Sequence, residues 1–214
     1  MYLPKHFQET RVPVLHELIR RHPLATLVTL TPDGLQANHI PLYLRVDAQG
    51  QGVLVGHVAR ANPVWKNADP QTAALVVFQG PHSYISPGWY PTKAENGKVV
   101  PTWNYAVVHA RGPLRAVDDA GWVRAQLLEL TTQQESAFAQ PWSVDDAPAD
   151  HIDKMLAAIV GIEIPIQELT GKWKVSQNQP EVNQAGVVQG LGHSNDVHAP
   201  AMSGLVAANA KAAP

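Results

Sequence analysis

An antiparallel, mainly β barrel with covering helices is the fold class that this 214-residue sequence predicts. Three observations point there. Six short runs rich in β-formers follow one another through brief turns of Gly, Pro, Asp and Asn. Three amphipathic helical patterns are available to cover a sheet. Strands and helices do not alternate in the βαβ order of a doubly wound sheet, which excludes a dinucleotide fold of that kind.

The first element is a helix from Thr10 to Arg21, with Val12, Leu15, Leu18 and Ile19 at helical spacing, Thr10 as cap and Pro23 as stop. Leu24 to Leu30 is a strand, Pro32-Asp-Gly34 a turn, and Leu35 to Val46 the returning strand of a hairpin. Asp47 to Gly52 is the next turn and Val53 to Val58 the next strand. A short helix through Trp65 and a buried strand, Thr72 to Phe78, follow. Gln79 to Pro91 reads as a brief strand interrupted by turns, and the polar run Pro91 to Val100 as a lid. Trp103 to Arg115 alternates Tyr105, Val107, His109 and Arg111 against Ala106, Val108 and Ala110, which predicts a long strand with two different faces. Asp118 caps a helix running to about Gln134, and Asp150 a further helix carrying Ile152, Met155, Leu156 and Ile159. Ile162, Ile164 and Ile166 alternate through Pro165, which suggests an edge strand or bulge. Pro180 to Gln189 is a last helix. Residues 1–191 are thus expected to form a single domain, and 192–214, dominated by Ala, Gly, Ser, Asn and Pro, a flexible tail.

Composition narrows the function. Sixteen basic against eighteen acidic residues (net −2) give no chain-wide basic field for nucleic acid or anionic membrane. Absence of Cys excludes disulfides, thiolate metal sites and cysteine nucleophiles. The first residues lack a signal-peptide pattern and no apolar run reaches membrane-spanning length, so the expectation is a cytoplasmic protein without a membrane partner.

The candidate chemistry centres on Gly56-His-Val-Ala-Arg-Ala-Asn-Pro-Val-Trp65, a strand that ends in a polar loop and turns into a helix. Asn62 can cap that helix ahead of Pro63, and Arg60 stands beside its positive end, the arrangement of a phosphate seat. The same pattern also fits an ordinary strand-to-helix turn with a solvated Arg, the weightier reading on this stretch alone. Lys172 and Lys174 can join Arg60 around a phosphate. His39 and His57 sit where strands meet polar turns; each is as readily a backbone-bonded histidine as a functional one. Trp65, Trp89, Trp103 and Trp173 are flanked by polar or turn residues, and their faces can stack on a flat cofactor whose polar edge Asn104, Gln177 or Asn178 would meet. No metal motif, nucleotide-loop motif or hydrolytic triad is present, and no metal ligand or catalytic residue is assigned.

Six segments carry a resemblance: Tyr2-Leu-Pro-Lys-His-Phe7, Ala37-Asn-His-Ile-Pro-Leu42, Gly56-His-Val-Ala-Arg-Ala-Asn-Pro63, Trp89-Tyr-Pro-Thr-Lys93, Val100-Pro-Thr-Trp-Asn-Tyr105 and Lys174-Val-Ser-Gln-Asn178. In this order they resemble the PaiB family, described as FMN-binding negative transcriptional regulators. Gln179 departs from the basic residue expected after the last segment. The resemblance implies an antiparallel split β-barrel of α+β class, a homodimer and FMN at the subunit interface. On this reading Arg60 and Lys174 lie on the phosphate, with His57 and Asn62 near it and Trp103 with Asn104 near the ring, and His39 and Gln177 are further candidates for the cofactor site. It implies repression, with DNA as a partner by analogy alone. A flavin oxidoreductase stays open as the alternative, since the cofactor itself carries electron-transfer chemistry. Haem in the same cleft, on a His ligand, is a lesser alternative.

Overall fold

The computed structural model describes residues 1–48 and 50–211. In chain order the elements are β1 (Gln8–Glu9), α1 (Val12–Arg21), β2 (Leu24–Thr31), β3 (Gly34–Pro41), β4 (Tyr43–Val46), β5 (Gly52–Ala59) and α2 (Val64–Asn67). Then come β6 (Ala74–Ile85), α3 (Lys93–Asn96), β7 (Thr102–Gly112), β8 (Arg115–Val117), α4 (Ala120–Glu135) and α5 (Ala149–Ala157). The last four are β9 (Ile159–Pro165), β10 (Glu168–Lys174), α6 (Glu181–Gly192) and α7 (Ala199–Lys211). The chain divides into two compact units: one of Met1–Leu18, Gln79–Val108 and the described residues from Thr170 onward, the other of Ile19–Phe78 and His109–Leu169. They are called here the outer-segment unit and the inner-segment unit, after their place in the sequence.

In the inner-segment unit β2 and β3 form a hairpin in unbroken antiparallel register, Leu24 opposite Pro41 through Thr31 opposite Gly34. Gly34 closes its turn at φ +105°, a conformation that favours glycine. The other edge of β2 pairs with the start of β6, Thr26 opposite Val77 and Val28 opposite Leu75. A second sheet runs in the order β4-β5-β9-β8. Its central strands are buried in consecutive runs as well as on alternate positions: Leu54, Val55, Val58, Val160, Ile162 and Ile164 are buried, and α4 and α5, with Val123 and Leu156 buried, pack on them.

In the outer-segment unit the strand order is β1-β10-β7-β6, with Gln8 opposite Lys172 and Glu9 opposite Gly171. Helices α6 and α7 pack on each other through Val187, Leu191, Met202 and Val206, all buried. Helix α6 is also fitted to the Trp89 loop. A Cβ added at Gly190 would lie 2.2 Å from the Trp89 ring, so only glycine lets ring and helix approach this closely.

Several sequence expectations need correction. The returning strand of the hairpin is two strands, β3 and β4, because the chain leaves one sheet at Leu42 for the other. Gly80-Pro81 does not interrupt β6, which runs through both residues to Ile85. Asp119, not Asp118, caps α4, its Oδ1 accepting from Trp122 N at 2.7 Å. Pro148 stands at the start of α5, Asp150 lies in its first turn, and Ile159 opens β9 rather than closing the helix. β9 is central, not an edge: β5 and β8 flank it, and Pro165 costs nothing there because it is the last residue. Lys172–Lys174 complete β10. Gly190 lies inside α6 rather than ending it. Residues 199–211 form a helix with Ala199, Met202 and Val206 buried, where a flexible tail was expected; i, i+3, i+7 spacing on small residues is enough to dock it. The expected turn at Gln49 and the last three residues of the expected tail lie outside the described residues.

Candidate functional site

The stretch from Gly56 to Trp65 folds as the sequence suggests, but its charge is already answered. Gly56 is buried where a Cβ would come within 2.7 Å of the Pro41 carbonyl oxygen. Past the end of β5, Arg60 donates from NH1 and NH2 to the two carboxylate oxygens of Asp118, at 2.9 and 2.7 Å. Its Nε donates to Ala157 O at 2.8 Å and NH2 also to Ile159 O at 3.1 Å, so one of the five guanidinium N–H groups remains. Arg60 holds the Asp118 carboxyl below the usual carboxylate range. The pair borders a cleft of about 410 Å³ that Asp119 and Asp153 also line, which makes it acidic on balance. Asn62 accepts from Val64 N at 3.0 Å and donates to Asn38 Oδ1 at 2.9 Å, but it is not the cap that was expected: α2 begins at Val64, Pro63 takes the N-cap position, and Asn62 lies one residue outside it. Four residues long, α2 offers almost no aligned dipole. Trp65 Nε1 donates to Arg60 O at 3.2 Å.

His57 and His39 are set apart. His57 is half-buried, and its Nδ1 lies 2.9 Å from Gln126 Oε1; an acceptor there fixes the proton on Nδ1. Gln126 is fully buried and its Nε2 has no protein partner. His39 is exposed on β3 and faces away from Asn38, the neighbour that reaches Asn62, because successive strand residues point to opposite faces.

The outer-segment unit holds a different arrangement. On β7, Trp103 is 54% exposed and Tyr105 half-buried, two positions on one face of the strand. With Gln79 and His82 they line an open cleft of about 470 Å³. Tyr84 meets Trp103 edge to face at 6.1 Å between centroids, and His82 lies 4.2 Å from the His198 ring. Across from β7, β10 brings Lys172 and Lys174 to the same side. Lys174 Nζ donates to Trp103 O at 2.7 Å and to Thr102 Oγ1; Lys172 Nζ donates to Tyr2 O at 3.0 Å and sits 5.3 Å over the Tyr105 ring. Burial, and then the charge of Lys172, push the Lys174 ammonium below the ordinary lysine range.

Asn104 and Gln177, expected at a ring edge, serve the loop after β10 instead. Asn104 is buried and donates to Ser176 Oγ at 2.9 Å, holding Ser176 at φ +67°, a conformation a serine adopts only when its surroundings fix it. Gln177 turns back on the same loop, accepting from Val175 N at 2.7 Å and donating to Trp173 O at 2.5 Å. Trp173 is buried, Trp89 lies against α6 and Trp65 is half-buried beneath the Lys66 ammonium, so of the four tryptophans singled out Trp103 is the exposed one. The sequence reading passed over His82 and Tyr105. Tyr105 was legible from its i, i+2 relation to Trp103; His82 was hidden by taking Gly80-Pro81 for a turn.

The family model described as "Putative FMN-binding domain" matches residues 1–168. A Bacillus subtilis relative, protease synthase and sporulation protein PAI 2, is 30% identical over 96% of this chain and 96% of its own length. The chain belongs to this FMN-binding domain family, as a PaiB-type member. An uncharacterized protein of Emericella nidulans is 35% identical over 89% of this chain and 90% of its own. Among solved structures, the flavocytochrome Anf3 from Azotobacter vinelandii superposes with a TM-score of 0.57 at 12% identity, over 80% of this chain and 72% of that one. The likeness shows the fold, an α+β antiparallel split barrel. Among the described residues no helix is long and apolar enough to cross a membrane, and no group of three or more His, Cys, Asp or Glu could hold a metal ion.

Proposed function

We propose that this protein binds FMN as a homodimer and acts as a flavin-dependent negative regulator or sensor. The observation that carries the reading is the open cleft beside Trp103, His82 and Tyr105 with two ammonium groups at its border. Exposed ring faces suit a flat isoalloxazine, and cations beside them suit a phosphate ester; the donor set fits the cofactor that the family description names. When bound, the flavin would supply redox chemistry. This chain's residues would orient it: Trp103 and Tyr105 against the ring, and positive charge at the phosphate. His57, Arg60 and Asn62 would then support their own strand ends rather than touch the ring, and His39, exposed on β3, would stand apart from it. Purified protein should take up added FMN with a perturbed visible flavin band, and Trp103→Ala should weaken that uptake; unperturbed free flavin at saturating protein removes the reading.

A homodimer is supported by an apolar sheet face in the inner-segment unit. Leu24, Leu30 and Leu35 are 63%, 38% and 77% exposed. They share one face of the hairpin with Val28, Ala37 and Pro41, and with the opposed pair Thr26 and His39, because directly opposed residues point the same way. A face this apolar is covered most simply by its own copy about a two-fold axis. Leu35→Glu should yield monomers in sedimentation.

A flavin oxidoreductase is the second reading, favoured by the openness of the cleft and by the His82 imidazole lining it. Anaerobic mixing of the FMN-loaded protein with NADH or NADPH separates the two: rapid bleaching supports a reductase, whereas none, with salt-sensitive operator binding, supports the regulator. Helices α6 and α7 carry only Glu181 and Lys211 as charged residues, so DNA contact would come from other elements.

A further inference from the structure

Two cations on one face of β10 stand without the partner that a buried charge needs. Lys172 is only 8% exposed, yet among the described residues its three N–H donors are given one oxygen, the neutral Tyr2 carbonyl, with the Tyr2 and Tyr105 rings beneath. Lys174 reaches only Thr102 Oγ1 and Trp103 O. Neither forms an ion pair with a carboxylate among the described residues. Cation–ring contact and carbonyl dipoles offset part of the desolvation of an ammonium group, and a carboxylate or another anion ordinarily supplies the rest. Arg60 is the opposite case, a cation whose bidentate carboxylate is already in place.

We propose that Lys172 and Lys174 together form the seat of a phosphate monoester, and that this seat, rather than Arg60, holds the phosphate end of the flavin nucleotide. Its second half rests on the FMN reading; its first half does not. The two side chains leave β10 in the same direction, two residues apart, so both ammonium groups can meet one phosphate group, and a dianion matches their combined charge. Tyr2 forms the lip of the seat: its ring is 84% exposed and its carbonyl already occupies one Lys172 donor, so an incoming oxygen competes with a neutral acceptor rather than with a carboxylate. The downward push on Lys174 from its neighbour's charge is relieved when an anion arrives.

The test compares FMN with riboflavin, which lacks the phosphate, on the full chain and on Lys174→Gln, Lys172→Met and Arg60→Gln. Lys172→Met keeps the buried stem and removes the charge; circular dichroism establishes that each variant is folded, and Lys174→Gln, at a half-buried position, serves alone if Lys172→Met is not. The wild type should prefer FMN over riboflavin by about tenfold or more, as a charge-assisted phosphate contact implies. Lys174→Gln should bring that ratio close to one while riboflavin affinity holds, and Arg60→Gln should leave it unchanged. A ratio abolished by Arg60→Gln and kept by Lys174→Gln overturns the assignment. If neither flavin binds the wild type, the FMN reading falls, and the seat is judged with inorganic pyrophosphate: it should raise the melting temperature of the wild type and not of Lys174→Gln, and an equal rise in both overturns the seat as well.

Discussion

Arg60 and Lys174 invite comparison because both are cations at strand ends and both touch backbone oxygens, yet they face opposite surroundings. Arg60 meets Asp118 through two parallel hydrogen bonds, and two further carbonyls fill its fork. Lys174 meets a hydroxyl and a carbonyl, with Lys172 as the nearest charge that acts on it. A cation whose counter-ion belongs to the fold ties segments together; here Arg60 joins the end of β5 to the loop before α4 and to the α5–β9 junction. A cation whose counter-ion is missing from the fold has affinity to spare. Residue type and motif position alone would rank Arg60 first for a phosphate; charge balance ranks the lysines first.

The largest effect expected on the cofactor is at Lys174. Lys174→Gln should weaken FMN by about 1.5–3 kcal/mol, the range for a hydrogen bond to a charged group, in a fluorescence titration, while Arg60→Gln leaves FMN affinity within error. An effect on stability of similar size is expected from Gly190→Ala, since the new Cβ would press on the Trp89 ring; overpacking of this kind costs about 1–3 kcal/mol, read by chemical denaturation. Trp103→Ala should weaken FMN and riboflavin alike, by about 0.5–1.5 kcal/mol, because a ring contact is indifferent to the phosphate.

Acidity separates the two cations further. The Asp118 carboxyl is held low by Arg60, so the stability it contributes is present above the ordinary aspartate range and is lost as pH falls through its depressed folded value. Asp118→Asn should therefore lower the melting temperature at neutral pH, and the gap from wild type should close in acid. Lys174 gives a slope of the same sign in an alkaline window, where it relieves a penalty instead of adding a stabilising pair. Its folded value is depressed, so the unfolded chain holds the extra proton and stability rises as pH climbs through that value toward the ordinary lysine range. Phosphate affinity falls over the same interval as the ammonium deprotonates. An FMN-to-riboflavin preference that is flat across alkaline pH would detach Lys174 from the phosphate.

Much of the fold was legible because local pattern and burial agree. The alternation from Trp103 to Arg111 is β7, and the apolar spacing in Val12–Arg21 is α1. What escaped depends on partners distant in sequence. Asp118 and Asp119 are equally good caps on paper; only the return of Arg60, 58 residues earlier, claims the first and leaves the second to Trp122. Pro165 looked like an edge marker because its position as the last residue of β9 is set by where Val53 stands opposite. Helix α7 escaped because Ala, Gly and Ser mask a docking stripe made of Ala199, Met202 and Val206. Trp103 and Lys174, singled out from residue type and setting, do come together, Lys174 bonding the Trp103 carbonyl, whereas Asn104 and Gln177, read as ligand contacts, bond within the strained turn at Ser176.

The account stands on flavin binding by this chain, and an equilibrium titration of FMN with the purified protein at neutral pH and low salt tests it most directly, following flavin and tryptophan fluorescence together. The expected result is a saturable quench of both signals with one FMN per chain, as a flavin ring stacked on Trp103 would give. Flavin fluorescence that stays at its free value throughout the titration, with tryptophan emission unchanged, would contradict it.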